Sequence, residues 1–291
     1  MRNRMRLMIV IATLLASWTP AAFGVPLWQL EGTRGQIVFL GSVHFLRDED
    51  YPLPDSIQRA YKDADVLVME MDMDDLNPVQ SQATVLSLAQ DPDGRDLKTL
   101  IGSRNYSIAK READAIGIDM TTLMPFEPWF AALQITQIRL MQLGLDPNQG
   151  IESYLTAWAA RDGKEIRGLE SFETQLRALD TLPARAQAKF LLRTLEEAAE
   201  IETSIDTILS AWRRGDVQTL ESELLKGLSG QPELYQQILV DRNRDWARKL
   251  AALASERKNY LVIVGTLHLV GKDSVLKMLD DAGYPSHRLP D

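Results

Sequence analysis

The sequence predicts an α/β (α+β) fold, in which short strands near both ends of the chain enclose a long helical middle. Two observations support this prediction. Short apolar runs near both ends are continuous rather than alternating, as is typical of strands buried on both faces of a sheet. Between them, apolar residues mostly recur at the three- and four-residue spacing of amphipathic helices.

The N-terminal part is expected to form two strands, a helix and a third strand. Apolar runs at 27–30 and 36–40 flank a loop that contains two glycines, which is the pattern of a hairpin. Asp55 can cap a helix, because the apolar residues after it follow helical spacing. The apolar run at 66–71 then predicts a third, buried strand.

The rest of the chain is predicted to be mostly helical. Apolar residues from Leu191 to Trp212 recur at helical spacing and predict one long helix that packs in the core. The chain should end with a buried strand, a helix that stops at Gly283 and an edge strand. The predicted helices are 79–90, 104–116, 127–143, 150–160, 184–213, 232–255 and 273–282, and the predicted strands are 165–169, 260–264 and 287–289.

The first 24 residues have the pattern of a secretory signal peptide. Three arginines precede the apolar stretch 7–18, and Ala22 and Gly24 provide the small residues that a signal peptidase needs before a cut at Val25. An uncleaved membrane anchor is the alternative, although about 12 apolar residues are few for a bilayer span. We therefore expect one domain, residues 25–291, located in the periplasm or secreted.

The composition argues against several classes of function. The formal net charge of −9 becomes −12 once the three arginines of the signal peptide are removed, which argues against a nucleic-acid partner. After residue 24, no run of about 18 apolar residues suggests a membrane partner. The chain has no cysteine, so any metal site must use His, Asp, Glu or water, and a thiol nucleophile is excluded.

Two of the three histidines occur in nearly the same context. Gly41-Ser42-Val43-His44 and Gly265-Thr266-Leu267-His268 each follow a strand that is predicted to be buried. Open α/β folds bind ligands at the carboxyl ends of their strands, and glycine lets the backbone turn there. One such motif alone would most often be a hydrogen-bonded loop histidine, but the matching pair predicts a shared pocket. His287 lacks this context and is expected to lie outside the site.

Carboxylates on two other strands complete the candidate site. Glu70 lies within an apolar strand, where a buried carboxylate is costly unless it is paired or bound to a cation. The alternative is that Glu70 lies beyond the sheet edge in water. Asp72 shares its face of the strand and is a candidate assistant. Glu170 follows the strand 165–169, although capping the next helix explains it at least equally well.

The motifs that are absent narrow the chemistry. The sequence contains neither a Gly-x-Ser-x-Gly nucleophile motif nor a His-Glu-x-x-His zinc motif. We therefore predict that His44, Glu70 and His268 activate water, either by holding a metal ion or by direct base catalysis.

Several short motifs, each weak alone, occur in an order that is specific when they are taken together. They are Gly41-Ser42-Val43-His44, Tyr51-Pro52-Leu53-Pro54, Val68-Met69-Glu70, Gly150-Ile151-Glu152-Ser153-Tyr154, Gly168-Leu169-Glu170 with Glu173 and Gln175, Arg242-Asn243 before Trp246, and Val264-Gly265-Thr266-Leu267-His268-Leu269-Val270-Gly271. In these motifs, which span almost the entire chain after the signal peptide, the sequence resembles the TraB/PrgY/GumN family. That family is related to the Tiki proteases and more distantly to erythromycin esterases and the haem-binding ChaN proteins.

The resemblance implies a Tiki-like fold with two small mixed β-sheets, a helical middle and surrounding helices. It also implies that His44, Glu70 and His268 form the site. The motif residues Glu170, Arg242 and Asn243 are candidate supporting residues. Glu152 stands where many relatives carry Asp, which weakens the case for a role there. The Tiki proteases resemble manganese- or cobalt-dependent enzymes, whereas the esterase relatives are argued to use a histidine base without metal.

The leading hypothesis is an exported, metal-dependent hydrolase of peptides or small-molecule esters. A divalent cation (Mn, Co or Zn) held by His44, His268 and Glu70 would lower the pKa of bound water to about 7, with Glu70 as a ligand or as the base. The imidazole nitrogens should then lie about 3–5 Å apart. One alternative is a metal-free hydrolase with His44 as base and Glu70 orienting it. The other is a haem- or ligand-binding protein without turnover.

Overall fold

A computed structural model describes residues 24–72, 77–146 and 149–290. The predicted signal peptide lies almost wholly outside these residues. Within them, no helix is long and apolar enough to cross a membrane. The strands are β1 (Leu27–Leu30), β2 (Ile37–Ser42), β3 (Val66–Met71), β4 (Glu165–Glu170), β5 (Tyr260–Gly265) and β6 (Ser286–Arg288). The α-helices are α1 (Asp55–Asp63), α2 (Pro78–Ala89), α3 (Leu97–Ala115), α4 (Pro128–Gln142), α5 (Ile151–Asp162), α6 (Phe172–Asp180), α7 (Ala184–Glu197), α8 (Ile201–Arg214), α9 (Val217–Lys226), α10 (Pro232–Tyr235), α11 (Arg242–Leu253) and α12 (Val275–Asp281).

The strands form one mixed sheet in the order β4-β3-β5-β2-β1-β6. β4, β3, β5 and β2 are parallel to one another, whereas β1 is antiparallel to both β2 and β6. The last long strand, β5, lies between the two strands from the beginning of the chain, since Val262 is level with Phe39 of β2 and with Val68 of β3. The carboxyl ends of all four parallel strands therefore meet at one edge of the sheet.

The predicted α/β (α+β) class is confirmed, but the expectation of two small sheets is wrong for the described residues. The N-terminal hairpin and the third strand do not belong to separate sheets, because β5 hydrogen-bonds to β2 on one side and to β3 on the other. The apolar runs identify the strands correctly. They carry no information on the order of the strands in the sheet.

Both faces of the sheet are covered by apolar side chains. Alternate residues of each strand point to opposite faces, so Leu40 and Ile263 pack in one core with Trp212 of α8, while Val68 and Val262 pack in another with Trp246 of α11. All six residues of β2 and of β5 are buried. This two-sided burial is the physical reason that their sequences are continuously apolar.

The predicted long helix 184–213 is in fact two helices. α7 ends at Glu197 and α8 begins at Ile201, and the chain turns between them. Leu191 and Leu195 pack in a core formed by helices, whereas Trp212 packs against the sheet. The apolar stripe continues across the break because both helices are amphipathic, so periodicity alone does not reveal the turn.

Other differences occur at helix ends and in short helices. α3 begins at Leu97 rather than at residue 104. The helix is kinked at Gly102, where φ is 80°, and this kink interrupts the helical spacing, so the sequence pattern reveals only the part after it. α6 and α9 were not among the predicted helices. Their first turns are held by side-chain caps, in which Ser171 accepts from the N–H of Thr174 and Asp216 accepts from the N–H of Thr219.

Candidate active site

Each of the four parallel strands delivers a functional side chain to the carboxyl edge of the sheet. His44 follows β2 by two residues, and Glu70 is the fifth residue of β3. Glu170 is the last residue of β4, and His268 closes the single helical turn that follows β5. This is the edge at which open α/β sheets bind their ligands.

The three predicted site residues lie around Gly265. A methyl group built on Gly265 would lie 3.2 Å from Oε1 of Glu70, 3.7 Å from Cδ2 of His268 and 4.0 Å from Nε2 of His44. The structure therefore brings His44, Glu70 and His268 together, although the two histidines are 224 residues apart in the chain. A larger side chain at position 265 would press against Glu70, which explains why the strand ends in glycine.

Glu70 is buried and has a donor on each carboxylate oxygen. Oε1 accepts from the N–H of Gly265 at 2.9 Å, and Oε2 accepts from Arg242 at 2.8 Å and from Gln175 at 3.0 Å. Burial raises the pKa of Glu70, but His268, Arg242 and the hydrogen bond from Gly265 outweigh burial and lower it to about 2. Glu70 is therefore ionised at neutral pH.

His268 is a buried, neutral imidazole whose tautomer follows from its partners. Nδ2 of Asn243 donates to the carbonyl oxygen of Asp273 at 2.7 Å, so Oδ1 of Asn243 faces Nδ1 of His268, 2.5 Å away. Oδ1 therefore accepts a hydrogen bond from Nδ1–H of His268. Nε2 is left as an acceptor. Burial lowers the pKa of His268 to about 3. Because His268 is uncharged above that pH, Arg242 and protonated His44 are the positive charges that compensate Glu70 at neutral pH.

Arg242 links the two strand-end glutamates. Besides Glu70, its guanidinium contacts Glu170 at 2.7 Å and lies 3.3 Å from Nε2 of His268. It also covers the ring of Trp246, whose Nε1–H donates to Glu170 at 3.2 Å. A π-helical turn at 236–241 directly precedes Arg242, and such turns often occur at functional sites. The candidate supporting residues Glu170, Arg242 and Asn243 thus all contact Glu70, His268 or each other.

The donor atoms do not fit the predicted three-ligand metal site in the arrangement described. The guanidinium of Arg242 contacts Glu70 and faces Nε2 of His268, so a cation already occupies the space between these two ligands. A second cation there would meet strong repulsion. Within the described ranges, no group of three or more His, Asp or Glu side chains is arranged to hold a metal ion.

His44 forms the exposed side of the site together with Glu152 from the first turn of α5. Nδ1 of His44 lies 3.0 Å from Oε1 of Glu152, and the same oxygen accepts from the hydroxyl of Ser42 at 2.5 Å. The side chain of His44 is 62% exposed, whereas that of Glu152 is 16% exposed. The carboxylate of Glu152 raises the pKa of His44 to about 9. Glu152 fixes the ring and leaves Nε2 facing Glu70.

A pocket of about 210 Å³ opens between these side chains. His44, Glu70, Glu152 and Gln175 supply its polar atoms, and Phe45 together with Met69 and Met71 supplies its apolar wall. The arrangement places a histidine with a fixed ring, a permanently charged carboxylate and a solvent-accessible space next to one another. These are the components that general acid–base catalysis requires.

The sequence gives little indication that Glu152 and Gln175 belong to the candidate site. Glu152 lies on a helix whose N-terminus meets the loop of His44, and Gln175 of α6 contacts Glu70. Both residues occur in the motifs, but no strand or glycine context marks them. His287 lies away from the site on the edge strand β6, where it is 48% exposed and lies 3.0 Å from Glu31.

Gly150, the residue before α5, controls how closely α5 approaches His44. A methyl group at this position would lie 2.5 Å from the carbonyl oxygen of His44, although φ is −76° and allows any residue. We expect Gly150→Ala to displace His44 from Glu152, so that kcat/KM of a reaction catalysed at this pocket would fall about tenfold to a hundredfold. Gly227→Ala, whose methyl group would find its nearest neighbour at 3.8 Å, is the control. Equal activity of both variants would contradict this prediction.

Comparison with known proteins identifies relatives along nearly the whole chain. The profile described as "TraB/PrgY/gumN family" matches residues 26–288. The chain is 26% identical to the uncharacterized protein YbaP of Escherichia coli K12 over 240 residues, which cover 82% of this chain and 86% of YbaP. An uncharacterized protein of Treponema pallidum is 22% identical over 265 residues, covering 87% of this chain and 79% of that protein. No solved structure matches the chain.

Proposed function

The chain belongs to the TraB/PrgY/gumN family, and from this premise and the geometry of the site we propose that it is a hydrolase in which His44 activates water. The observation that carries the proposal is the contact of His44 with Glu152, which leaves Nε2 free toward the pocket that Glu70 lines. An imidazole oriented by a carboxylate is a recurrent general base. The signal-peptide pattern adds the proposal that the protein acts in the periplasm or after secretion.

The reaction proceeds through proton transfers at one atom, Nε2 of His44. Neutral His44 takes a proton from water as the water oxygen bonds to the carbonyl carbon of an ester or peptide. The bond to the leaving oxygen or nitrogen then breaks, and that atom takes the proton back from Nε2. Glu152 stabilises the imidazolium that exists between the two steps, because its carboxylate is 3.0 Å from Nδ1.

Glu70 orients the attacking water rather than acting as its base. A carboxylate with a pKa of about 2 is too weak a base to compete with His44. It is nevertheless fixed by Gly265, Arg242 and Gln175, and one of its oxygens faces the space beside Nε2 of His44. His268 and Asn243 hold Arg242 and the strand ends in place.

A metal-dependent version of the proposal has one observation in its favour. Both site imidazoles have a partner on Nδ1, namely Glu152 for His44 and Asn243 for His268, as histidine ligands of metals usually do. A Mn, Co or Zn ion would also require Arg242 to leave Glu70. Haem is less favoured, because about 210 Å³ is smaller than a typical ligand pocket of roughly 300–1,000 Å³.

Assays of the purified protein with and without a chelator separate these versions. We expect it to hydrolyse p-nitrophenyl butyrate or an unstructured peptide, and to keep this activity after dialysis against EDTA. Elemental analysis accompanies the assay. A stoichiometric metal whose removal abolishes turnover would replace the metal-free mechanism by the metal-dependent one. A haem absorption band without turnover would overturn the hydrolase proposal.

We expect Glu152→Gln to shift the pH dependence of kcat/KM toward acid. The reaction needs neutral His44, so the wild-type rate should rise as pH passes through about 9. Glutamine lacks the charge that raises this pKa, so the inflection should move toward the ordinary histidine value of 6.5. The control is Glu31→Gln, which removes the matching partner of His287. A profile of Glu152→Gln with an unmoved inflection would show that His44 is not the base.

A further inference from the structure

We propose that the substrate carries an apolar acyl group of medium length, which binds in a pocket between the loop after β2 and helices α8 and α9. This inference rests on the proposed hydrolase function and deepens it by naming the substrate class. The pocket has a volume of about 270 Å³. Its apolar wall is formed by Val43, Ile205, Ile208, Leu209, Leu224 and Leu267.

The acyl pocket, as we name this space, is continuous with the site. His44 and Phe45 line both the acyl pocket and the pocket that contains Glu70 and Glu152, which we name the carboxylate pocket. The imidazole of His44 therefore separates a space without carboxylates from one that contains two of them. Among the described residues that line the acyl pocket, His44 is the only one with a titratable side chain. A carbonyl carbon beside His44 would have an apolar space on one side of its scissile bond.

The two pockets assign the two halves of the substrate. The leaving group departs as an alcohol or amine and accepts a proton, so it belongs beside Glu70, Glu152 and Gln175. The carboxylate pocket meets a second pocket at Met71, which Glu170 also lines, so the leaving group has a way out past charged side chains. The acyl group is left with the apolar side, where its burial is favourable.

The size of the acyl pocket sets the length of the acyl group. A water molecule takes up roughly 30 Å³ in the liquid; a methylene group is of similar size, so about 270 Å³ accommodates a chain close to octanoyl. The acyl pocket adjoins a groove of about 500 Å³, and the two share Ile208, Leu224 and Leu267 in their walls. Arg193, Glu197 and other charged residues also line this groove. Longer chains would place their ends among these charges. The structure therefore predicts an optimum rather than a steady gain with length.

The test measures kcat/KM for p-nitrophenyl acetate, butyrate, octanoate and palmitate. We expect octanoate to be preferred over acetate by at least about tenfold, because an apolar pocket discriminates about tenfold or more for one methylene, and palmitate to fall below octanoate. Octyl acetate and ethyl acetate differ in the length of the alcohol rather than of the acyl group, and we expect no preference for the longer of these two esters. A preference that follows the alcohol instead would overturn the assignment of the acyl group.

Ile208→Trp is designed to fill the acyl pocket from α8. It should lower kcat/KM for octanoate at least about tenfold more than kcat/KM for acetate, since Ile208 lines the acyl pocket but not the carboxylate pocket. Leu224→Trp repeats the test from α9. The control is Met141→Trp, at an exposed apolar position of α4. Melting temperatures identify variants that fail to fold, and identical chain-length profiles in folded Ile208→Trp and wild type would refute the acyl pocket.

Binding without turnover separates this inference from the proposed function. Octanamide, a neutral amide, should bind the His44→Gln variant at least about tenfold more tightly than acetamide, as measured by titration calorimetry. If wild type hydrolyses none of the esters but octanamide still binds and Ile208→Trp abolishes its binding, the hydrolase proposal fails and the acyl pocket remains. If esters are hydrolysed without length preference and octanamide does not bind, the acyl pocket fails alone.

Discussion

His44→Gln lowers the hydrolytic rate by about 10²–10⁴-fold and lowers the melting temperature by only a few degrees, so the variant stays folded. The rate falls because glutamine cannot take a proton from water at the position of Nε2. Some stability is lost because the charge pair with Glu152 is removed, but 62% of the His44 side chain is exposed, so solvent weakens this pair. Initial rates and thermal unfolding of the same preparation measure the two effects.

His287→Gln is a close control for this variant. His287 is also exposed, and its Nδ1 lies 3.0 Å from a glutamate, as does that of His44. The two substitutions therefore each remove an imidazole from a glutamate, which is largely buried at the site and exposed beside β6. Wild-type rates for His287→Gln are expected. Comparable losses for both variants would show that the effect comes from surface charge rather than from the site.

Arg242→Met lowers the free energy of unfolding by about 3–5 kcal/mol. Arg242 is 13% exposed and compensates Glu70 and Glu170, which are 9% and 4% exposed. Methionine fills much of the same volume but leaves two buried carboxylates without a cation, which is the costly way to break a buried ion pair. Urea unfolding at pH 7 measures the loss. The control Arg248→Met removes a surface pair at a side chain that is 78% exposed, and we expect a loss of under about 1 kcal/mol.

The pH dependence of this loss provides a second check. In wild type the pKa of Glu70 is depressed to about 2, so its contribution to stability is present above pH 4.5 and is lost as pH falls through 2. In Arg242→Met the pKa of Glu70 rises, because the guanidinium no longer adds to the effects of His268 and Gly265 that oppose burial. The difference between variant and wild type should therefore shrink on acidification from pH 7 to pH 4. A constant difference would attribute the loss to packing alone.

The sequence predicts individual elements of the fold better than their arrangement. β2, β3 and β5 are recognisable because burial on both faces leaves only apolar residues. Their order in the sheet depends on hydrogen bonds between residues about 200 positions apart, which no local pattern records. The break between α7 and α8 is hidden for a related reason, because an amphipathic stripe continues through it.

The residues of the candidate site also differ in how clearly the sequence identifies them. His44, Glu70 and His268 can be selected from the sequence because each stands out at the end of, or within, an apolar strand. Arg242 and Glu152 lie on helices, where charged residues are common, and only the fold shows that both contact the strand-end residues. The metal hypothesis was drawn from the two histidines, Glu70 and the family resemblance, and it stays a prediction; the contact of Arg242 with Glu70 could not be foreseen from the sequence.

The insertion of β5 between β2 and β3 also dictates when the protein can fold. β2 and β3 are made about 200 residues before β5, and until β5 is present each of these apolar strands lacks its central partner. Unpaired apolar edges attract other chains, and pairing between such distant segments makes folding slow. The unfinished chain therefore stays prone to aggregation until β5 can pair with both strands.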